Sequence, residues 1–207
     1  VVIDGSKNNI DYIKKEEIYW RFDLTAIHNF IMKENINKII ATAGLKDDIG
    51  LLSIDIDGND YWVWEAINVI NPRIVICEYK SIFGKKHPIS IPYQHDFHRA
   101  KAHYSYLYYG VSLPALCHLA NKKGYDFVGS NSNGGNAFFV RKDLKHNLKK
   151  LKAEQGFIEN KARESRDRNG RLNFLSNENI LKEIKDCKVQ NVITNEITLI
   201  KDLFFIK

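Results

Sequence analysis

The chain has 207 residues, of which 44% are hydrophobic and 27% are charged, so it can form one well-buried domain with at most a short extension. Its charges are spread along the sequence, unlike those of a disordered protein, and no apolar run reaches the roughly 18 residues that a membrane span requires. The formal net charge of +6 does not indicate a nucleic-acid partner, because acids are interleaved with bases even in the locally basic segment from Lys142 to Arg171.

The first third of the chain alternates between apolar runs typical of strands and segments with helical spacing. Strands are expected at Val1–Ile3, Leu24–Ile31, Leu51–Ile56 and Arg73–Tyr79, and helices at Asn9–Trp20, Glu34–Ala43 and Asp60–Ile70. Nearly continuous apolar strands separated by helices indicate a parallel sheet that is covered on both faces. We therefore expect these strands to be parallel neighbours in one sheet.

The alternation ends at Lys80. The segment Lys80–Tyr109 contains four of the seven histidines and has no clear period, which predicts an elaborated loop or lid. The later elements are expected to be a helix at Ser112–Lys123, a hairpin of Tyr125–Ser130 and Asn136–Arg141 around the turn "NSNGG", a charged helix from Leu144 to about Ser165, and a helix and a final strand after Asn177. The predicted fold class is α/β, with a core at Val1–Asp143 and a helical extension at Leu144–Lys207.

The cysteines and the start of the chain bear on where the protein works. Cys77, Cys117 and Cys187 are widely spaced and form no CxxC motif, which excludes a cysteine-rich zinc site and predicts a reducing, cytoplasmic location. Val1 lies within an apolar run without a signal-like leader, so the chain is expected to be the interior of a longer protein.

Acidic residues follow three of the predicted strands. Asp4, Asp57 and Glu78 fall at carboxyl ends, which in open α/β sheets line the ligand-binding crevice. A carboxylate in the position of Asp4 can accept hydrogen bonds from both hydroxyls of a ribose. Glu78 ends an apolar strand and needs a partner, for which Lys80 is the local candidate.

The stretch "LLSIDIDGNDYWVWEAI" places Asp55 and Asp57 at the end of a strand and permits two interpretations. The DxD pair is similar to the metal- and nucleotide-sugar-binding motif of many glycosyltransferases. Alternatively, Asp55 binds nearby backbone amides and Asp57 caps the following helix. A calcium loop is excluded, because the glycine is at the fourth position of the motif and Ala66 stands where a glutamate is needed.

Five stretches of the sequence, taken together and in this order, are more specific for a protein family than any one of them alone. They are "VVIDGS", "LLSIDIDGNDYWVWEAI", "PRIVICEYKSIFG", "ISIPY" and "YYGVSLPALCHLANKKGYDFVGSNSNGGNAFFV". Over Val1 to Asp143 the chain resembles a bacterial branch of the FkbM-like, S-adenosylmethionine-dependent methyltransferases. The resemblance implies a Rossmann-like class I methyltransferase sheet, S-adenosylmethionine as cofactor, and O-methylation of a sugar or another small-molecule or glycan hydroxyl.

The resemblance also implies roles for the acidic residues. Asp57 and Glu78 would be catalytic and would orient or deprotonate the acceptor hydroxyl, while Asp4 and Asp55 would bind the cofactor, with Asp4 on the ribose. The family commonly has Asn where this chain has Lys80, and this departure predicts that no metal is bound. The family's glycine-rich first loop has no counterpart here, so an incomplete donor pocket and a gap in the sheet are expected.

Two other functions stay open at this point. One is a metal-dependent glycosyltransferase that uses Asp55 and Asp57. The other is a non-catalytic Rossmann-like module that acts as an interaction scaffold. The hairpin that follows the helix Ser112–Lys123 favours the methyltransferase over the glycosyltransferase.

Overall fold

The computed structural model describes residues 1–161 and 164–205, with the side chain of residue 177 left out, and has an α/β fold with parallel and antiparallel strand pairs. The strands in chain order are β1 (Val2–Asp4), β2 (Ala26–His28), β3 (Asp47–Ile54), β4 (Ile70–Glu78), β5 (Ile89–Ser90), β6 (Tyr125–Ser130), β7 (Asn136–Arg141), β8 (Lys188–Asn191) and β9 (Ile197–Leu199). The helices are α1 (Lys7–Ile13), α2 (Glu17–Arg21), α3 (Ile36–Thr42), α4 (Asp60–Ala66), α5 (Arg99–Ala102), α6 (Leu113–Lys122), α7 (Ala153–Gly156), α8 (Asn177–Glu183) and α9 (Ile200–Phe204), with a 3-10 turn at Ser81–Phe83.

The largest sheet has four strands in the order β3-β4-β7-β6. Strands β3 and β4 are parallel, with Leu51 opposite Ile74 and Ile54 opposite Cys77. Strand β7 is antiparallel to both β4 and β6. The predicted hairpin is confirmed with the same bounds. It could be predicted because its two strands and its turn are neighbours in sequence.

Strands β1 and β2 form a separate parallel pair, so the prediction that all four early strands share one sheet is wrong. Among the described strands, β3 pairs only with β4 and is therefore an edge strand. Leu51 is 53% exposed, although its apolar surroundings in the sequence predicted a buried strand. The expected gap in the sheet stays a prediction, since the strand order shows only that β1–β2 and the four-stranded sheet are separate.

The main core lies where α4 and α6 pack on the four-stranded sheet. Trp64 of α4 is almost fully buried, with its ring centroid 6.1 Å from that of Tyr125 and 5.0 Å from that of Phe139. Helix α6 contributes Leu116 and is capped by Ser112, whose hydroxyl accepts a hydrogen bond from the Ala115 amide. This packing holds the carboxyl ends of β3 and β4 beside each other.

A second apolar cluster joins the segment after β4 to the end of the chain. Its buried residues come from the 3-10 turn, from β5 and its surroundings, and from α8, β8 and α9: Ile82, Phe83, Ile89, Leu107, Ile180, Ile184, Val189 and Ile200. Strands β5, β8 and β9 form a small antiparallel sheet beside it. The C-terminal segment thus packs against the predicted lid, Lys80–Tyr109.

Two predicted helices differ from the observed elements. The prediction of one helix over Asn9–Trp20 is wrong, since α1 and α2 are separate. The prediction of a charged helix from Leu144 to about Ser165 is also wrong, because the short helix α7 is the only helix among the described residues of this segment. Instead the Leu151 amide donates to the Phe127 carbonyl at 2.9 Å, so this segment runs beside β6.

None of the described helices has the length and apolar character needed to cross a membrane.

Candidate functional site

Two cavities lie beside the carboxyl ends of the parallel strands. The outer cavity has a volume of about 380 Å³ and extends from the end of β1 to the loop after β3. Its polar lining residues are Asp4, Ser6, Asn9, Asp55, Asp57, Asn59, His98 and Arg99. The sequence prediction that Asp4, Asp57 and Glu78 converge on one crevice is confirmed for Asp4 and Asp57, whereas Glu78 lines a second cavity.

The inner cavity has a volume of about 240 Å³ and lies at the end of β4. Its lining comes from β4 and the 3-10 turn, from the loop before α6 and from the C-terminal segment, and includes Glu78, Lys80, Ser81, Tyr106, Tyr109, Asn160, Glu164 and Ile180. Arg99 lines both cavities, so they meet at this side chain. Glu78 thus lines a different cavity from Asp4, which lines the outer one.

Asp4 is half-buried and holds the turn between β1 and α1. One carboxylate oxygen accepts a hydrogen bond from the Ser6 amide at 2.6 Å, and the other accepts one from Asn9 Nδ2 at 3.0 Å. Each carboxylate oxygen can accept about two hydrogen bonds, so both keep capacity for a ligand in the outer cavity. The site is therefore rigid and can still bind a pair of hydroxyls.

Asp57 is placed by a strained backbone and by an arginine. Its φ of 54° lies in the left-handed region, which is uncommon outside glycine and is found often at functional sites. Its carboxylate forms an ion pair with Arg99 Nη1 at 2.7 Å. The interpretation of Asp57 as the helix cap is wrong, since Asn59 occupies that position.

Asp60 holds the Asp57 loop in place, and sequence reasoning missed it. Its carboxylate is completely buried and accepts hydrogen bonds from the amides of Ile56 and Gly58, both at 2.9 Å. Burial raises the pKa of Asp60 to about 6, although these two hydrogen bonds act in the opposite direction. An acid in the first turn of a predicted helix was the available signal, because such acids often bind nearby amides.

Asp55 is exposed and lines the outer cavity. The interpretation of Asp55 as the residue that binds the turn amides is wrong, because Asp60 binds them instead. Asp55 is also more exposed than Asp57. Partial burial and the neighbouring Asp57 carboxylate raise the pKa of Asp55. A positive ligand group in the outer cavity would relieve this repulsion.

Glu78 has one buried carboxylate oxygen without a hydrogen-bond partner among the described residues. Burial raises the pKa of Glu78 to about 9, and the carboxylates of Asp60 and Asp55 add to this shift. This shift favours the protonated form of Glu78, which can donate a hydrogen bond. The expected ion pair with Lys80 is not formed within 4.0 Å in the described part of the chain.

Lys80 lies at the start of the 3-10 turn, with its Nζ 3.5 Å from the ring centroid of Tyr109. Such a cation–π contact stabilises an ammonium without a counter-ion. Burial lowers the pKa of Lys80 to about 7, although Glu78 acts to raise it. Nothing in the sequence around Lys80 identifies Tyr109 as its partner, because the two are 29 positions apart.

Asp55, Asp57 and Glu78 can each bring one carboxylate oxygen within 4.8 Å of the others. A divalent cation here would compete with Arg99 for Asp57, and Glu78 would have to lose its proton. The expectation that no metal is bound stays a prediction.

The chain matches no protein-family model, and no curated protein or solved structure is found to be similar to it. The resemblance to FkbM-like methyltransferases therefore stays a prediction that depends on the sequence motifs.

Proposed function

We propose that the chain is an S-adenosylmethionine-dependent O-methyltransferase of the FkbM-like kind, acting on a hydroxyl of a sugar or another small polar acceptor. The observation that carries the proposal is that Asp4 and Asp57, which follow two different parallel strands, line one cavity. A parallel sheet that ends in an antiparallel hairpin, with ligand groups at the strand ends, supports a Rossmann-like methyltransferase order.

The size and polarity of the outer cavity support its proposed role as the donor site. Its volume of about 380 Å³ lies within the range of ~300–1,000 Å³ typical of ligand pockets. Asp4 would accept the ribose hydroxyls, and Asp55 offers a second carboxylate on the same wall. Phe30 and Phe97 supply apolar lining against which an adenine ring could pack.

The donor supplies a methyl group on a positively charged sulfur, and the protein has to position the acceptor and receive its proton. Asp57 lines the outer cavity, Glu78 lines the inner cavity, and Arg99 lines both. Asp57, fixed by Arg99, would orient the acceptor hydroxyl. Protonated Glu78 would donate a hydrogen bond to another acceptor oxygen.

Calorimetry with S-adenosylmethionine tests the proposal. Asp4→Ala should weaken binding by about 1–3 kcal/mol, the scale of lost hydrogen bonds to a charged group. Asp11→Ala is the matched control, since Asp11 is exposed on the adjacent helix α1 and lines neither cavity. Thermal unfolding of Asp4→Ala, compared with the control, reveals any loss of fold from the broken Ser6 and Asn9 bonds.

Each contrary outcome identifies a different function. Binding of a nucleotide sugar with manganese, without binding of the methyl donor, would replace this proposal with the metal-dependent glycosyltransferase. Binding of neither ligand by the folded protein would leave the non-catalytic interaction module.

A further inference from the structure

A lysine-rich loop projects from the sheet beside β6, the last strand in the order β3-β4-β7-β6. The Lys142 amide donates to the Gly124 carbonyl, and the Leu151 amide donates to the Phe127 carbonyl, both at 2.9 Å. Because these two carbonyls are only three positions apart, the residues between the anchors, 143–150, have to bulge away from the strand. They form a compact surface loop with its two ends close together.

The outward side of this loop is basic. Its half-buried side chains include Leu144 and His146, whereas its lysines are exposed and Leu148, which stands among them, is 56% exposed. We call the exposed side chains of the loop and its flanks the basic patch: Lys142, Lys145, Leu148, Lys149, Lys150 and Lys152.

Little of this positive charge is neutralised within the protein. Of the lysines in the basic patch, only Lys150 has a carboxylate within 4.0 Å in the described part of the chain, and that partner is Asp126 at 2.7 Å. The acid inside the loop, Asp143, is itself paired with Arg141 at 2.7 Å. The charge of the patch is therefore complementary to an anionic partner.

We propose that the basic patch binds an anionic lipid surface, with the lysine ammonium groups on the headgroup phosphates and Leu148 between the headgroups. Lysines close to an anionic membrane are attracted to it even without a defined binding pocket. An apolar side chain among them adds the burial that holds a protein in the membrane interface. This inference is independent of the proposed methyl transfer.

The composition of the patch favours lipid over nucleic acid. Proteins read nucleic acids largely with arginines, which bind bases in a bidentate way, and with aromatic rings, on which bases stack. Residues 142–152 contain neither. The preceding arginine, Arg141, already donates to Asp143, to Asp48 and to the Asn71 carbonyl.

The test is sedimentation of the whole chain with vesicles of phosphatidylcholine alone, or of an equal mixture of phosphatidylcholine and phosphatidylglycerol. We expect binding to the mixed vesicles only, and loss of that binding in about 1 M salt, where charges are screened within a few ångströms. Each lysine near an anionic surface strengthens binding about fivefold, so the double variant Lys145→Gln/Lys149→Gln should bind about 25-fold more weakly. Leu148→Ser should weaken binding about two- to tenfold, because less apolar surface is buried.

The matched control is Lys185→Gln/Lys188→Gln, which removes the same charge at two exposed positions outside the patch. It should bind the mixed vesicles within about twofold of the wild type, because the charges that it removes do not face the lipid. Thermal unfolding of all variants checks that these exposed substitutions leave the fold intact.

Four results would overturn the inference. The wild type could fail to sediment with the mixed vesicles, or the control could lose as much binding as the patch variant, which would reduce the effect to net charge. Unchanged affinity of Leu148→Ser would remove the argument for lipid. Tighter binding of duplex DNA than of mixed vesicles, lost in the patch variant, would make the patch a nucleic-acid site instead.

Discussion

Replacement of Asp60 by asparagine tests how the loop that carries Asp57 is held. Asp60→Asn keeps the size of the side chain and one acceptor oxygen, but it turns an NH₂ group toward one of the two amides that the carboxylate binds. A buried amide left without an acceptor costs about 1–3 kcal/mol. We therefore expect the free energy of unfolding to fall by that amount at pH 7.

The pH dependence of this loss follows from the raised pKa of Asp60. The folded protein holds the Asp60 proton up to about pH 6, while the unfolded chain releases it near the ordinary value of 3.8, so the folded state binds more protons between these values. Stability from this group is present below pH 3.8 and falls as the pH rises to 6. The difference of about two pH units corresponds to about 3 kcal/mol.

Urea unfolding of the wild type and of Asp60→Asn at several values between pH 4 and pH 7 measures both effects. The difference in unfolding free energy between the wild type and Asp60→Asn should increase by up to about 3 kcal/mol as the pH falls from 6 to 4. Only the wild type is stabilised by protonation of Asp60. Asp11→Asn, at an exposed position of helix α1 that lines neither cavity, is the control. If the difference in unfolding free energy between the wild type and Asp60→Asn became smaller as the pH falls, the amide hydrogen bonds would have a larger effect on the pKa of Asp60 than its burial. That result would refute the raised pKa of Asp60.

Two further predictions concern the same strand and its loop. Gly58→Ala would place a Cβ 2.3 Å from the Phe97 ring, so it should lower the free energy of unfolding by about 1–3 kcal/mol and weaken donor binding. Gly50→Ala is the control and should have neither effect, because the space around Gly50 is open. Leu51→Ser should change the free energy of unfolding by no more than about 0.5 kcal/mol, because Leu51 is 53% exposed. Ile54→Ala should lower the free energy of unfolding by about 2–5 kcal/mol, because Ile54 is only 4% exposed. Urea unfolding measures both. Equal losses for Leu51 and Ile54, or equal behaviour of the two glycine variants, would contradict the structure.

Local features of the fold could be predicted from the sequence. The hairpin β6–β7 has its strands and its turn within seventeen residues, so alternation and glycines were sufficient to place it. The helix α4 and the strand β4 followed from their apolar spacing in the same way. The acids at the strand ends could be placed because each directly follows an apolar run.

Features that depend on distant partners could not be predicted. The exposure of Leu51 depends on which strand lies beside β3, and an apolar run alone carries no information on that. The segment after Leu144 has enough charge for a surface helix but runs beside β6, where Lys150 pairs with Asp126 at 2.7 Å. The contact of Arg99 with Asp57 joins residues 42 positions apart, and Arg99 lies in the segment Lys80–Tyr109, whose sequence has no clear period.

The charge of the two cavities distinguishes between the proposed donor and a nucleotide sugar. Even with Glu78 protonated, Asp55, Asp57 and the buried Asp60 next to the outer cavity outnumber the cations Arg99 and Lys80. Repulsion among these acids contributes to the raised pKa values of Asp55, Asp60 and Glu78. A sulfonium donor would bring a positive charge to this place, whereas its thioether product would not, so the acids favour binding of the donor and release of the product. A diphosphate would meet the same carboxylates as a like charge and could enter only with a divalent cation, which would first have to displace Arg99 from Asp57. The electrostatics of the site therefore favour methyl transfer over glycosyl transfer.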